Sequence, residues 1–457
     1  MVSNKAKLLA TACTLTQLSF GYGDAITSVA PAQIQFLIST LNETGTAMAL
    51  VKANMAVLAT IAGAVVALIL GKLLNRKYCV VGGSVFGCLG WILMASSQTL
   101  GQFAGGRILA GLGFGVITVS APVWQAESTN TRLRGRLVLL QFAGRAFGNC
   151  LAGWVALSYL ARPEFALWRL LIAVTLILIS CALGILIFVP KSLRNHDDQA
   201  MGSLEQQQRS NSTPPPYQCR AEQPAHVYEA RTPVGSKKLR RTVLSVILVV
   251  VYAISTSSSI TSWLSLFLQS YGYSALIVYM LAMCESTCLT ACCVLSIVLV
   301  ERIGRRKTLG ISFLGLSVCL VPVTIILTIP SSNIPGATVA LLFGFLVAGF
   351  YGLNYGTVWL WVVEINASSF RLPGVAVATI VYYSITFSMS FASVLLRSHT
   401  AWPVVFLVSN ILLGTITYFL VPETSGRSLQ AIDRQFKQGL PLVINNYKTA
   451  TSIRWVE

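Results

Sequence analysis

The sequence predicts an all-α integral membrane protein with twelve transmembrane helices in two similar six-helix bundles. The first observation is composition: the 457 residues are 54% hydrophobic and only 11% charged, whereas a soluble protein carries about 25% charged residues. The second is a repeated pattern. Glu127 lies three residues after a tryptophan and seven before Arg134, and Glu364 and Arg371 repeat this spacing half a chain later. Because each copy closes a long apolar run, the pattern indicates a duplicated membrane unit.

Twelve apolar runs are long enough to cross a bilayer, since a spanning helix needs about 20 mostly apolar residues. Helices are expected because each satisfies its own backbone hydrogen bonds in lipid, and the runs lack the alternation of barrel strands. The first six runs lie near residues 8–30, 49–71, 78–97, 101–122, 137–160 and 167–189. The second six lie near residues 243–268, 275–299, 308–329, 338–363, 374–396 and 402–421.

The runs define two bundles and two polar segments. Residues 1–194 are predicted to form the N-terminal six-helix bundle, and residues 242–424 the C-terminal one. Residues 195–241 contain three consecutive prolines, few aliphatic side chains and a basic end, which is typical of a largely disordered linker. Residues 425–457 form the predicted tail.

The distribution of charge predicts the orientation. Most Lys and Arg residues lie at the two termini and in alternate loops, so the positive-inside rule places both termini in the cytoplasm. The net charge of +18 therefore reflects topology and lipid contact, and no nucleic-acid partner is expected. The sequon at Asn42 falls on the outer side, where a glycan can be attached. We expect a multi-pass protein of the plasma membrane.

The composition also disfavours an enzyme. The chain has three histidines, no cluster at metal-ligand spacing and no plausible nucleophile–base pair. We therefore predict no catalytic residues, no metal site and no cofactor.

A charged cluster is predicted at the cytoplasmic helix ends. The segment VERIGRRK, residues 300–307, joins the eighth and ninth runs, and arginine can bind a carboxylate through two hydrogen bonds. Ion pairs between the two halves would hold one conformation and break in the other, whereas the alternative is that these arginines only fix topology. The predicted gating residues are Glu127, Arg134, Glu301, Arg305, Arg306, Glu364 and Arg371.

Three motifs carry a family resemblance. They are the fourth-run segment from Gly106 to Gly135, the sequence ERIGRRK at 301–307, and VPETSGRSLQAID at 421–433. In order and spacing they resemble the sugar porter branch of the major facilitator superfamily, in the style of its fungal members. The resemblance implies the major facilitator fold and transport by alternating access. The loop 2–3 copy of the basic motif is eroded, with Asn75 where an acid is expected.

The solute pocket departs from this family. The positions of its hydroxyl-binding amides fall near Tyr252 and on Ser258 and Tyr382, while Gln141 and Trp359 match sugar-contacting positions. Such a pocket suits a sugar that is held by fewer amides, or a flat or apolar solute. The substrate-binding residues implied are Trp359, Gln141, Ser258, Tyr382 and Tyr383.

Four charged residues lie well inside the apolar runs: Asp24, Arg107, Arg145 and Glu285. Such groups are costly in a membrane and are functional candidates. Proton-coupled members of the family carry an aspartate in the first run near an arginine in the fourth, which implies Asp24 and Arg107 as the proton-coupling pair. A fixed structural pair is the alternative. Arg145 either faces the cavity and favours an anionic solute, or pairs with Asp24 or Glu285.

The sequence thus predicts a transporter of a small sugar- or polyol-like solute, with or without a coupled proton. A transporter of another metabolite, aromatic or acidic, is the main alternative. A non-transporting nutrient sensor is disfavoured, because the tail after Pro422 is short.

Overall fold

The computed structural model describes residues 4–29, 46–71, 73–160, 167–190, 234–255, 264, 268–269, 272–328, 334–395 and 401–437. Fourteen helices lie in these ranges. In the N-terminal half they are α1 (Asn4–Val29), α2 (Thr46–Leu70), α3 (Arg76–Ala95), α4 (Leu100–Ser128), α5 (Thr131–Leu160) and α6 (Leu167–Phe188). In the C-terminal half they are α7 (Val234–Ile254), α8 (Ala275–Ile303), α9 (Arg305–Thr328), α10 (Ile334–Tyr355), α11 (Thr357–Ile365), α12 (Arg371–Leu395), α13 (Ala401–Leu420) and α14 (Leu429–Lys437).

Each of the twelve predicted runs contains a described helix, and α10 with α11 forms the tenth. Eight helices in the described ranges are long and apolar enough to cross a membrane, and α2 adds a shorter apolar stretch, Met55–Leu70. Many of their large apolar side chains are exposed on the outside of the bundle, including Ile177, Ile187 and Phe188. Lipid is the solvent that suits this surface.

The helices pack in the same way in both halves. In the N-terminal half, α1 packs against α5 and α6, α3 against α4 and α6, and α2 against α4. In the C-terminal half, α7 packs against α12 and α13, α9 against α10 and α13, and α8 against α10. The halves meet where α5 packs on α8 and α2 on α12. The duplicated sequence therefore builds a duplicated bundle.

Several helices extend beyond the apolar runs into charged sequence. α4 continues to Ser128, and α5 begins at Thr131 rather than near residue 137. α8 and α9 are separated by Gly304 alone, whose φ is 100°. This left-handed conformation favours glycine, and an added Cβ would lie 2.6 Å from a carboxylate oxygen of Glu423. The apolar runs mark the lipid-embedded part of each helix and not its ends.

Three other boundaries differ from the sequence expectation. α7 begins at Val234, inside the predicted linker, and ends at Ile254, whereas its apolar run extends to residue 268. The tenth run is interrupted at Gly356. The predicted tail contains the helix α14. Residues 191–233 and 438–457 lie outside the described ranges.

Candidate functional site

Two ion pairs cross between the halves at one end of the bundle. We call this the basic end, defined by Arg134, Arg305 and Arg371. Nη1 of Arg134, from the N-terminal half, lies 3.8 Å from Oε1 of Glu364 in the C-terminal half. In the reciprocal direction, Nη1 of Arg371 lies 3.3 Å from Oε1 of Glu127. Each arginine of the repeated pattern therefore pairs with the glutamate of the other copy.

The backbone fixes both arginines in the same way. Nε of Arg134 donates to the carbonyl oxygen of Ala126 at 3.2 Å, and Nε of Arg371 donates to that of Val363 at 3.1 Å. In each case the acceptor lies eight residues before the arginine, at the end of the preceding helix. This bond orients the guanidinium, so that its remaining nitrogens reach across the interface.

Glu364 is held by further polar groups of its own half. Nε of Arg305 lies 3.5 Å from its Oε2, and the hydroxyl of Thr424 donates to the same oxygen at 2.6 Å. Arg305 also binds Glu301 through both terminal nitrogens, at 3.1 and 3.2 Å. The guanidinium of Arg305 is 1% exposed, so burial makes these carboxylates necessary partners.

Glu423 organises the turn between α8 and α9. Its carboxylate accepts the backbone N–H of Arg305 at 2.9 Å and that of Arg306 at 3.1 Å, at the N-terminus of α9, where negative charge is favourable. The guanidinium of Arg306 instead donates to the carbonyl of Tyr418 and lies over its ring. Sequence reasoning did not assign Glu423, although it lies inside the quoted VPETSGRSLQAID motif.

Glu127 has a second partner from loop 2–3. Nε of Arg76 lies 3.4 Å from Oε2 of Glu127, and Nη1 of Arg76 donates to the carbonyl of Gly71 at 2.7 Å. The eroded loop motif therefore still supplies a cation. Sequence reasoning missed it because this copy of the basic motif is eroded, with Asn75 where an acid is expected.

The helix α14 is attached to the same end. Arg241 of α7 pairs with Asp433 and lies over the ring of Phe436 at 4.4 Å, and the hydroxyl of Ser368 donates to Asp433 at 2.6 Å. Burial raises the pKa of Asp433, but the hydrogen bonds from Ser368 and Arg241 outweigh it and hold the pKa below its usual value. Arg371 donates to the hydroxyl of Ser368 at 3.3 Å, which connects α14 to the crossed pairs.

A cavity lies nearer the middle of the bundle, mostly in the N-terminal half. Arg145 of α5 is its central group: Nη1 donates to the hydroxyl of Tyr383 at 3.0 Å, Nη2 lies 3.9 Å from Oδ2 of Asp24, and the guanidinium lies 4.3 Å above the ring of Phe114. The described lining residues are Phe20, Asp24, Ala56, Val57, Thr60, Trp91, Met94, Arg107, Ala110, Gly111, Phe114, Arg145 and Tyr383. Arg145 thus both faces the cavity and pairs with Asp24, while Arg107 lines the same cavity.

Aromatic side chains, Tyr252 and Tyr382, occupy two of the positions where the resemblance expects amides in the C-terminal half. The rings of Tyr252 and Tyr351 stack 5.9 Å apart, and their hydroxyls are 3.0 Å apart. Tyr382 stacks on Tyr252 at 6.0 Å and meets Trp359 edge to face at 5.2 Å. The described cluster is therefore self-packed. The predicted residues Ser258 and Asn42 lie outside the described residues.

Amide groups occur instead in the N-terminal half. Gln141 donates to the side-chain oxygen of Gln125, but its own Oε1 and Nε2 of Gln125 are buried without a partner. Both amide atoms of Gln17 are likewise buried and unpartnered. Gly21 contacts the backbone of Arg145, so α1, which carries Gln17, packs on α5, which carries Gln141.

Comparison with known proteins decides the family. Residues 9–436 match the model of the family described as sugar (and other) transporter. The chain belongs to this family. It is 28% identical over 407 residues to the MFS-type transporter oryC of Aspergillus oryzae, covering 84% of this chain and 76% of that one. It is 24% identical over 441 residues to the sugar transporter STL1 of Saccharomyces cerevisiae, covering 87% and 74%.

Solved structures show the fold. The transporter superposes on the proton:xylose symporter XylE bound to 6-bromo-6-deoxy-D-glucose with a TM-score of 0.79 and 17% identity, covering 95% of this chain and 100% of that one. On the inward-open xylose transporter XylE from E. coli the TM-score is 0.62, with 16% identity and coverage of 94% and 99%. The predicted fold class, an all-α membrane protein of the major facilitator type, is confirmed.

Proposed function

We propose that this transporter carries a small sugar- or polyol-like solute by alternating access, and that the crossed ion pairs form its cytoplasmic gate. The observation that carries the proposal is the reciprocal pairing of Arg134 with Glu364 and of Arg371 with Glu127. Pairs made between halves must break before the halves can separate at this end. Charges of this kind therefore favour one conformation without binding the solute.

The orientation and the layout follow from the same proposal. The basic end faces the cytoplasm of a cell whose plasma membrane holds the protein. Residues 1–194 and 242–424 are the two moving bundles, residues 195–241 connect them on the cytoplasmic side, and 425–457 form the tail. Asn42 is then on the outer surface.

The solute would sit between the Arg145 cavity and the amides of Gln17 and Gln141. Sugar hydroxyls need paired donors and acceptors, and the unpartnered amide atoms can supply them. A buried polar group left unpaired costs about 1–3 kcal/mol, which a hydroxyl could recover. Trp359, Tyr382 and Ser258 would contact the solute from the C-terminal half.

Proton coupling would act through Asp24. Protonation removes its negative charge and weakens the pair with Arg145, whose guanidinium is also held by Tyr383 and Phe114. Arg107 lines the same cavity, so protonation of Asp24 removes the carboxylate that both arginines face. A proton on Asp24 thus changes which arrangement of α1, α4 and α5 is favoured.

Uptake tests the proposal directly. The chain is expressed in yeast lacking hexose carriers, surface expression is verified, and uptake of labelled sugars and polyols is measured in acidic and in mildly alkaline medium. We expect uptake that rises in acid in the wild type and loses this dependence in Asp24→Asn. Uptake with an unchanged pH profile in Asp24→Asn would remove this residue from coupling.

A second candidate is an acidic aromatic metabolite. It is favoured by two arginines, Arg107 and Arg145, which face one aspartate among the described cavity residues, and by the aromatic rings of Phe20, Trp91 and Phe114 there. The same cells are therefore offered labelled aromatic carboxylates. Uptake of these with no uptake of sugars, lost in Arg145→Gln, would select this candidate over the sugar.

A further inference from the structure

Glu285 is an acidic residue that the proposed gate and cavity do not use. It lies on α8, ten residues from the end of the helix that is opposite to the basic end, and at 1.5 Å per residue this is about 15 Å into the bundle. The residue is 5% exposed, and its Oε1 is buried with no hydrogen-bond partner in the part of the chain that the structure describes. A side chain this polar and this buried calls for a physical explanation.

Apolar groups surround the carboxyl. On α10 it faces Gly344, where an added Cβ would lie 2.8 Å from Oε1 and 2.8 Å from a methyl carbon of Leu264. The other titratable side chains on this face of α8 are the thiols of Cys288 and Cys292. Their sulfur atoms would lie 3.6 and 3.5 Å from a Cβ added at Gly349 of α10. α10 itself carries no charged residue over Ile334–Tyr355.

The nearest described cations are engaged elsewhere. Met283 and Thr287 place the α5 interface on the opposite face of α8, where Thr287 contacts Cys150 at 3.4 Å. Arg145 of α5 is directed at Asp24 and Tyr383. On α9 the described cations lie at the basic end. The first of them, Arg305, follows the turn at Gly304, whereas Glu285 lies 18 residues before Ile303, the last residue of α8.

Arg305 is thus separated from Glu285 by most of the length of α8.

With no cation near it among the described residues, the charged form of Glu285 is strongly disfavoured. Moving a carboxylate from water into an apolar interior costs several kcal/mol even after relaxation, whereas the neutral acid costs far less. We propose that Glu285 is a proton-binding site in the C-terminal half, separate from the Asp24–Arg145 pair. Loading forms an O–H bond on the carboxylate with a proton from hydronium and leaves water.

The location indicates how the proton exchanges. Glu285 is covered by α10 and by Leu264, which follows α7 in the seventh apolar run. Water reaches the carboxyl only when the contact between α8 and α10 opens. The site therefore holds its proton in the arrangement described here and releases it when these helices separate.

Infrared spectroscopy of the purified protein at neutral pH tests this without a known solute. The carbonyl stretch of a protonated carboxylic acid is measured in the wild type, in Glu285→Gln and in Asp24→Asn. We expect the band in the wild type and in Asp24→Asn, and its loss in Glu285→Gln. A wild type without the band, or a band that persists in Glu285→Gln, would overturn the proposal.

Thermal unfolding keeps the test independent of folding defects. Glutamine has the shape of the neutral acid, so Glu285→Gln should unfold at the wild-type temperature or higher. A large fall in the unfolding temperature would show that the negative charge is needed, which contradicts a bound proton. Because neither readout depends on uptake, a failure of the sugar proposal leaves this result unaffected.

Discussion

Glu127 and Glu364 occupy equivalent places in the two copies of one pattern, yet their surroundings differ. The side chain of Glu127 is 29% exposed and pairs with Arg371 and Arg76. The side chain of Glu364 is 0% exposed and contacts Arg134, Arg305 and the hydroxyl of Thr424. The crossed geometry is the same in both copies, but the glutamate of the C-terminal copy is buried whereas that of the N-terminal copy is partly exposed.

This difference has an energetic consequence. A buried carboxylate that faces two buried guanidiniums cannot be removed without leaving uncompensated charge, whereas a partly exposed pair is screened by water and salt. We therefore expect the ion pairs of Glu364 with Arg134 and Arg305 to contribute most of the stability of the closed basic end. The ion pair of Glu127 with Arg371 contributes mainly to the alignment of the two halves.

Glu364→Gln should have the largest effect. It leaves Arg134 and Arg305, at 5% and 1% exposure, without this carboxylate, and breaking a buried pair costs about 3–5 kcal/mol. Thermal unfolding of the purified protein measures the loss. An unfolding temperature equal to that of the wild type would contradict the proposed difference between the ion pairs of Glu364 and those of Glu127.

Gly135→Ala should have the next largest effect, because Gly135 of α5 packs directly on the side chains of Glu301 and Arg305. An added methyl group has to displace the ends of these two side chains from their ion pair, and overpacking costs about 1–3 kcal/mol. Gly82→Ala is the matched control, since no atom lies within 4 Å of its added Cβ. Equal unfolding temperatures for the two variants would argue against a tight contact between halves here.

Glu127→Gln should cost less than Glu364→Gln, because the Glu127 side chain is itself 29% exposed and the buried Arg371 keeps its hydrogen bonds to Val363 and Ser368. The loss should shrink further as salt is added, because ions screen exposed charges. Unfolding measured at low and at high salt checks this. A loss as large as that of Glu364→Gln, and independent of salt, would contradict the comparison.

The contact of α14 should show the smallest effect and a defined pH dependence. The pKa of Asp433 lies below its ordinary value of 3.8, so its contribution is fully present above that value and is lost as the pH falls through the lowered pKa. The protection of the α14 amides, measured by hydrogen exchange and corrected for the intrinsic pH dependence of exchange, should therefore be unchanged by mild acidification and should fall in strong acid. Asp433→Asn should show the lower α14 protection already at neutral pH. A loss of protection in the wild type near neutral pH would be inconsistent with this assignment.

The sequence predicted the number and positions of the membrane runs, because lipid demands long apolar segments. It did not locate the ends of the helices. α4, α5 and α8 continue into charged sequence, where ion pairs rather than apolar burial stabilise them. The interruption of the helix at Gly356 in the tenth run could not be predicted either, because the run remains apolar on both sides of it.

The site was predicted less completely. The charged residues of the gate could be identified because Glu127 and Glu364 recur with their arginines, but spacing along one chain cannot tell which arginine meets which glutamate. The pairing with the opposite copy depends on how the halves pack. The contribution of Glu423 and of the Tyr252 cluster required the side-chain geometry.

The most direct test of the crossed pairs is the accessibility of the basic end. Ser128, beside Glu127, is 7% exposed, so a cysteine at this position in a variant without native cysteines reports opening. Ser97→Cys, at a position that is 1% exposed at the opposite end of α4, is the control. We predict that Glu364→Gln raises the thiol-labelling rate at position 128 several-fold and leaves that at position 97 unchanged. An unchanged rate at position 128 would contradict the role of the crossed pairs as the closure of this end.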